Sequence, residues 1–385
     1  MIFFDSHLDL AYLAVNGREM QHADPLAAGG PDQPGCVTLP SLREGNVRFA
    51  LGTIFTEVGG KGPESYPSGD SIEAIERAFA VGRAQLEVYR TWRDRGLISM
   101  DLRESLRAAP GTGRVRGGMG VAEVVPPTVR ERVEKATGPR TPALRIGVLI
   151  EGADVIKSAS QLEWWAAQGV VAIGLCWAKD SRYATGNATD PATNRVGLTP
   201  AGRELLQEMG RLGVVPDLSH LSDRACDELL EATDKPVIAS HSNCRAIVAS
   251  EPQVASPTAP NLQRHLRDET IREIARRGGV VGINLLSQFI LPGGRRDRRA
   301  TVDETIAHIE RVCELTNSRR HVGLGSDADG GITRERLPLG IDLPRDYTRL
   351  LDGLARRGWS EDDVRGFACE NWASFWSREA GGTIG

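Results

Sequence analysis

The sequence predicts a (β/α)₈ TIM barrel, and three observations predict it. About eight short apolar runs alternate with helical patterns down the chain, the order that builds a parallel sheet closed on itself. Most of these runs are rich in Val and Ile and bounded by Gly, Pro or polar residues, as strands buried on both faces are. Histidine and carboxylate residues fall at the ends of run after run, where barrels assemble their sites.

The strand candidates, in order, are Ile2–Phe4, Arg48–Thr53, Arg145–Leu149, Val170–Leu175, Val214–Leu218, Val237–Ala239, Val280–Asn284 and His321–Leu324. Strand count alone also allows a doubly wound open sheet. Between them, Ser71–Arg95 has apolar residues at helical spacing, among them Ile72, Ile75, Ala78 and Phe79. Thr199 and Pro200 open a helix as N-cap and first-turn proline, and Ser360 caps another whose first turn is Glu361, Asp362 and Asp363. Asp268–Arg277 and Val302–Leu315 complete the main helices. We expect one domain over residues 1–385, with the Gly- and Pro-rich stretch 108–142 as an insertion or flexible loop. A second irregular stretch, Glu251–Asn261, is expected at the barrel mouth.

Composition narrows the function classes. Hydrophobic residues make up 40 % and charged residues 25 %, the balance of an ordinary globular protein. A net charge of -4 gives no basic face for nucleic acid, and the cluster Arg295, Arg296, Arg298 and Arg299 reads as a solvated loop. No run reaches the ~18 apolar residues of a membrane span, and MIFFDSHLDL does not read as a secretory signal. The six cysteines are far apart with no CxxC pair, which predicts reduced, mostly buried thiols. A soluble cytoplasmic protein is expected.

The chemistry lies at the strand ends. Asp5-Ser6-His7-Leu8-Asp9 follows the first run, and residues two apart in an extended segment face the same side, so His7 and Asp9 can serve one metal together. Glu151, His220, His241 and Asp327 each follow a further run. Singly, each has a plain structural reading: a hydrogen-bonded histidine, or a carboxylate at a helix start. Jointly, carboxylates and imidazoles converging on one mouth require a cation to neutralise and pair them. His22, His265, His308 and His321 lie in a loop, a polar segment, mid-helix and at a strand start, and are assigned no role.

These motifs resemble the membrane dipeptidase (renal dipeptidase) family of the amidohydrolase superfamily. The matching segments are DxHxD at Asp5–Asp9, EG at Glu151-Gly152, DLSHLS at Asp217–Ser222, SHSN at Ser240–Asn243, RGGVVGIN at Arg277–Asn284 and GSDADG at Gly325–Gly330. The resemblance implies two zinc ions, the first held by His7 and Asp9, the second by His220 and His241, with Glu151 bridging them. It implies Asp327 as proton acceptor and donor at the shared water, and Arg264, in a match to RNLxDE, as the residue that holds a substrate carboxylate. The implied reaction is hydrolysis of dipeptides or closely similar small amides by water activated between the metals. A homodimer is a family-level expectation.

One departure stands out. The family places a histidine that contacts the scissile carbonyl after the strand following the bridging glutamate; alignment puts Trp177 there. An indole N–H donates a hydrogen bond but cannot become a cation. Lys179 and Arg182, close by in sequence, could supply positive charge. Trp177 therefore keeps two alternatives open: deacylation of N-acyl (D-)amino acids or another amidohydrolase reaction, and a catalytically silent metal-binding barrel.

Overall fold

Seven parallel strands form one sheet in the computed structural model of the protein, which describes residues 1–107, 114–118, 120–125, 128–137, 144–252 and 262–379. They are β1 (Phe3–Leu8), β2 (Val47–Phe55), β3 (Arg145–Glu151), β4 (Val170–Gly174), β5 (Val215–Asp217), β6 (Val281–Ile283) and β7 (Val322–Leu324). Their spatial order is β6-β7-β1-β2-β3-β4-β5. Residues 237–239 close the ring, since Ile238 bridges in parallel to Asp217 of β5 and Ala239 to Val281 of β6. All eight predicted runs thus lie in one curled parallel sheet, with both faces covered. This arrangement is a barrel and excludes the open alternative.

Local chemistry sets the helices. The Thr199 hydroxyl accepts from Gly202 N–H ahead of helix Pro200–Leu212, and Ser360 accepts from Asp363 N–H. Thr301 and Glu304 form a capping box at the start of helix Val302–Thr316. In helix Ile72–Asp94 the buried stripe runs through Ala78, Val81, Leu86, Tyr89 and Trp92, whereas Ile72 is 81 % exposed. Ile72 therefore lies off the core face that the spacing suggested, although Ala74 in the same turn is buried.

Two apolar layers hold the ring. The larger lies between strands and helices and includes Phe3, Leu8, Ile146, Ile150 and Ile173. A second gathers Phe4, Phe49, Leu149, Val215 and Ile238 with Trp372, Phe375 and Trp376 of the final helix Asn371–Glu379. Phe4 stacks between Phe49 and Trp372, both at 5.9 Å, near the start of β1. Above this apolar floor the barrel interior is narrow and polar. A Cβ at Gly282 or at Gly325 would lie 2.0 Å from the Ser240 carbonyl oxygen, so only glycine fits at either position.

The stretch 108–142 is more regular than a flexible loop. Residues 114–118 and 120–125 pair as antiparallel strands, and helix Val129–Ala136 buries Val133 and Ala136 against the second apolar layer. Residues 108–113, 119, 126–127 and 138–142 of this stretch, and 253–261 of the second irregular stretch, lie outside the described residues. Five cysteines are buried, Cys313 is partly so, and all six are free thiols. Among the described residues no helix is long and apolar enough to cross a membrane.

Candidate metal centre

His7 lies at the end of β1 and Glu151 ends β3. His220 and His241 follow β5 and residues 237–239, and Asp327 follows β7. Parallel strands put all these ends at one mouth of the ring. His220 (φ 69°) and Asp327 (φ 56°) turn out of their strands in left-handed backbone, a conformation that costs of order 1 kcal/mol for a side chain with a Cβ and clusters at functional sites.

The Glu151 carboxylate is the hub. Its Oε2 lies 3.3 Å from His7 Nε2, and its Oε1 lies 3.1 Å from His220 Nε2 and 3.4 Å from His241 Nε2. Asp9 Oδ1 and Asp327 Oδ1 stand 3.7 Å and 3.9 Å from His7 Nε2. His7, Glu151 and His241, and likewise His7, Asp9 and Asp327, offer ligand atoms all within 4.8 Å of one another. All six side chains predicted to gather at the mouth do so, and all but His220 are fully buried.

The proton positions follow from the hydrogen bonds. Ser240 Oγ donates its single proton to Asp217 Oδ2, so it can only accept from His241 Nδ1 at 2.8 Å and from His7 Nδ1 at 3.2 Å. His220 Nδ1 donates to Asn187 Oδ1 at 3.2 Å. Each imidazole therefore carries its proton on Nδ1 and presents a bare Nε2 lone pair. These lone pairs face the Glu151 oxygens and one another, with His220 and His241 Nε2 only 2.9 Å apart, and His7 Nε2 is buried with no hydrogen-bond partner. Lone pairs aimed at carboxylate oxygens repel unless cations lie among them. The imidazole nitrogens and carboxylate oxygens form the mixed donor set that zinc accepts.

Electrostatics point the same way. Burial, above all, pushes Glu151 up to about 8 and Asp9 up to about 7, the latter helped by repulsion from Glu151. Asp327 is likewise raised by burial, and His220 and His241 are held well below the usual imidazole range. Positive charge placed among them would offset the carboxylate penalties, and the depressed histidines are already in the neutral form that binds a metal. A Cβ at Gly330 would lie 2.2 Å from Asp327 Oδ1 and 2.5 Å from Asp9 Oδ2, so this glycine keeps that side of the cluster open.

The cluster opens into a cavity of about 750 Å³ whose wall includes Asp9, Glu151, Trp177, His220, Arg264 and Asp327. Arg264 is buried, donating to Ser242 Oγ at 3.0 Å and to the His241 carbonyl at 2.8 Å, while its Nε has no partner. Trp177 is half-buried, edge-on to Phe55 at 5.1 Å and 6.0 Å from the His220 ring. Lys179 also lines the cavity, but Arg182 is tied to Asp154 and the Ile156 carbonyl away from it.

The family model for membrane dipeptidases, peptidase family M19, matches residues 131–380, more than half of the chain. The chain belongs to this family. An uncharacterized dipeptidase of Schizosaccharomyces pombe is 31 % identical over 197 residues, 51 % of this chain and 44 % of its own length. The chain thus spans less than half the length of that curated relative. Among solved structures, the dipeptidase AC, a metallopeptidase of family M19, superposes with a TM-score of 0.73 at 24 % identity, covering 99 % of both chains. A metallopeptidase from Rhodobacter sphaeroides, liganded with a phosphinate mimic of the dipeptide L-Ala-D-Ala, gives 0.73 at 23 % identity, covering 98 % of this chain and 99 % of that one. At such identities the likeness shows a shared fold.

Several contributors were not singled out from sequence. Ser240 and Asn284 sit inside SHSN and RGGVVGIN; Asn284 Nδ2 donates to Asp327 Oδ2 at 2.8 Å, and Thr53 bonds Asp9 from β2. Being a polar residue within a motif that already holds a ligand was the available signal. Asp329, in GSDADG, instead accepts from Cys36 and Val37 N–H and pairs with the buried Arg18, tying two loops together. His265, placed by sequence in a polar segment, is buried edge-on to Phe289 at 5.4 Å. His308 is buried too, while His22 and His321 bond the backbone carbonyls of Asp24 and Gly279.

Proposed function

We propose that this chain is a dinuclear zinc dipeptidase. His7 and Asp9 would hold one zinc, His220 and His241 the other, and Glu151 would give one oxygen to each. The observation that carries this reading is the convergence of three bare Nε2 lone pairs on the two Glu151 oxygens. When bound, a zinc pair lowers the pKa of a shared water toward neutrality and polarises a carbonyl oxygen.

The chain's own residues do the rest. Arg264, oriented by Ser242 and the His241 carbonyl, offers its guanidinium to the carboxylate at the end of a short substrate and limits the site to small amides. Asp327 has Oδ2 held by Asn284, which leaves Oδ1 to take the proton of the attacking water and pass it to the leaving amine. Trp177 walls the pocket beside His220 and, in place of a chargeable histidine, contributes shape and an N–H donor. That substitution also favours N-acyl amino acids as a second substrate class. We also propose that residues 1–385 form one functional domain.

The test is a panel of dipeptides and N-acyl amino acids offered to zinc-loaded protein, with metal content measured in parallel. Hydrolysis of panel members is expected, falling about 10²–10⁴-fold in Asp327→Asn. Intact metal loading with no cleavage of any member would overturn the hydrolase reading in favour of a silent barrel.

A further inference from the structure

Three arginines, Arg264, Arg296 and Arg336, line the wall of the cavity alongside the carboxylates Asp9, Glu57, Glu64, Glu151 and Asp327. Arg295, Arg298 and Arg299, from the same arginine-rich loop, are each held by an acidic neighbour. Arg264 and Arg336 are different. Among the described residues neither has a carboxylate oxygen within 4 Å of its guanidinium nitrogens. Half-buried Arg336 donates to the Gly331 carbonyl at 2.9 Å and to Gln288 Oε1 at 3.4 Å. Gln288 is 3 % exposed, lines the same wall, and its Nε2 has no hydrogen-bond partner. A buried amide donor left unpaired is costly, and Gln288 belongs to the wall of a cavity where a small rotation of its amide would let a ligand pair it.

Gln288 and Phe289 are neighbours on the short helix Ser287–Ile290, and the Arg264 guanidinium lies over the Phe289 ring at 5.0 Å. One helix therefore touches both guanidiniums, through consecutive side chains. Burial depresses both arginines, and Arg296 adds like-charge repulsion to Arg336, which Asp32 and Asp327 offset only in part. An anion bound between them would relieve both effects.

We propose that Gln288 and Arg336 form a second anion subsite beside Arg264, which selects substrates whose C-terminal residue carries a side-chain carboxylate, as in Xaa–Asp, Xaa–Glu or their N-acyl counterparts. The subsite deepens the dipeptidase reading and rests on it, because Arg264 takes the α-carboxylate and leaves the second acid group for Gln288 and Arg336. Asparagine and glutamine analogues keep the shape and remove the charge, so they isolate this contact.

Calorimetry on the zinc-loaded protein, with both enantiomers of aspartate, glutamate and their amides asparagine and glutamine, product-like ligands that carry no acyl bond to cleave, reads the subsite without turnover. At least one acid is expected to bind about 10-fold or more tightly than its amide, the size of a charge-assisted contact. Arg336→Met and Gln288→Leu should each bring that ratio close to one, and either variant suffices if the other fails to fold. Equal binding of acids and amides by the unaltered protein, or no binding of any, would overturn the subsite. Turnover of Xaa–Asp and Xaa–Asn at equal kcat/KM would remove the subsite and keep the hydrolase. A binding preference for acids with no turnover would keep the subsite and remove the hydrolase.

Discussion

Ser240 does two jobs with one proton. By giving it to Asp217, the hydroxyl becomes an acceptor for both His7 and His241, one on each side of Glu151. Asp217 is itself fixed by the backbone N–H groups of Ser219 and Ser240. Ser240→Ala would strand two Nδ1 protons and free both rings to flip tautomer. Outer partners of metal-binding histidines typically contribute about 10–100-fold to affinity, and here one atom serves two ligands. Zinc competition titrations should therefore show at least a 10-fold weaker site in the variant, with the fold intact by circular dichroism; unchanged affinity would refute the relay. The six mouth side chains were legible in the sequence because each follows an apolar run and only metal-type residues recur there. The relay was not, because a serine between two ligands looks the same whether it bonds one ring, two or none.

The short helix Ser287–Ile290, which presents Gln288 and Phe289 to the cavity, is positioned by a longer one. Helix Val302–Thr316 buries His308, whose Nδ1 accepts from Cys244 N–H at 3.0 Å and whose Nε2 donates to the Ile290 carbonyl at 3.0 Å. That pairing fits neutral imidazole alone, since a proton on Nδ1 would oppose the Cys244 N–H. Burial accordingly lowers His308 to about 4, against an ordinary value of 6.5. Below 6.5 the unfolded chain binds a proton that the folded one refuses, so stability falls as pH drops from 6.5 toward 4. The shift corresponds to roughly 3 kcal/mol when complete. Urea titrations over this range should show that loss in the native chain and a flatter pH slope in His308→Gln, whose amide keeps a donor and an acceptor; identical slopes would exclude His308 as the source. Elements of this kind were only partly legible. Caps such as Thr199 and Ser360 act within four residues and were read correctly. The burial of His308 and His265 depends on partners 18 to 64 positions away in the chain, and no local pattern encodes that.

Across the whole molecule, the candidate centre joins strand ends that are distant along the chain. His7 closes β1 and Glu151 closes β3, while His220, His241 and Asp327 leave the ring after β5, residues 237–239 and β7. Bound cations would therefore act as cross-links over most of the circumference, and they would bind the folded ring far better than the unfolded chain. At a free zinc concentration about 1,000 times the dissociation constant, that linkage is worth about 4 kcal/mol. Without metal, the buried carboxyls set the opposite trend. Glu151 at about 8 and Asp9 at about 7 keep protons that the unfolded chain has already released above about 4.5, so the metal-free fold loses stability as pH rises toward 8. His220 and His241 are depressed instead, so their effect is confined below 6.5 and the window from 6.5 to 8 belongs to the carboxyls. Chelated protein should accordingly melt at a lower temperature than zinc-loaded protein, and its Tm should fall further between pH 6.5 and 8, by roughly 2 kcal/mol in stability. Zinc binding, which must displace those protons, should tighten over the same interval. Differential scanning calorimetry of both forms at three pH values separates the outcomes. Equal melting with and without zinc, and no divergence of the two forms as pH rises, would mean that the strand ends are held together by something other than cations.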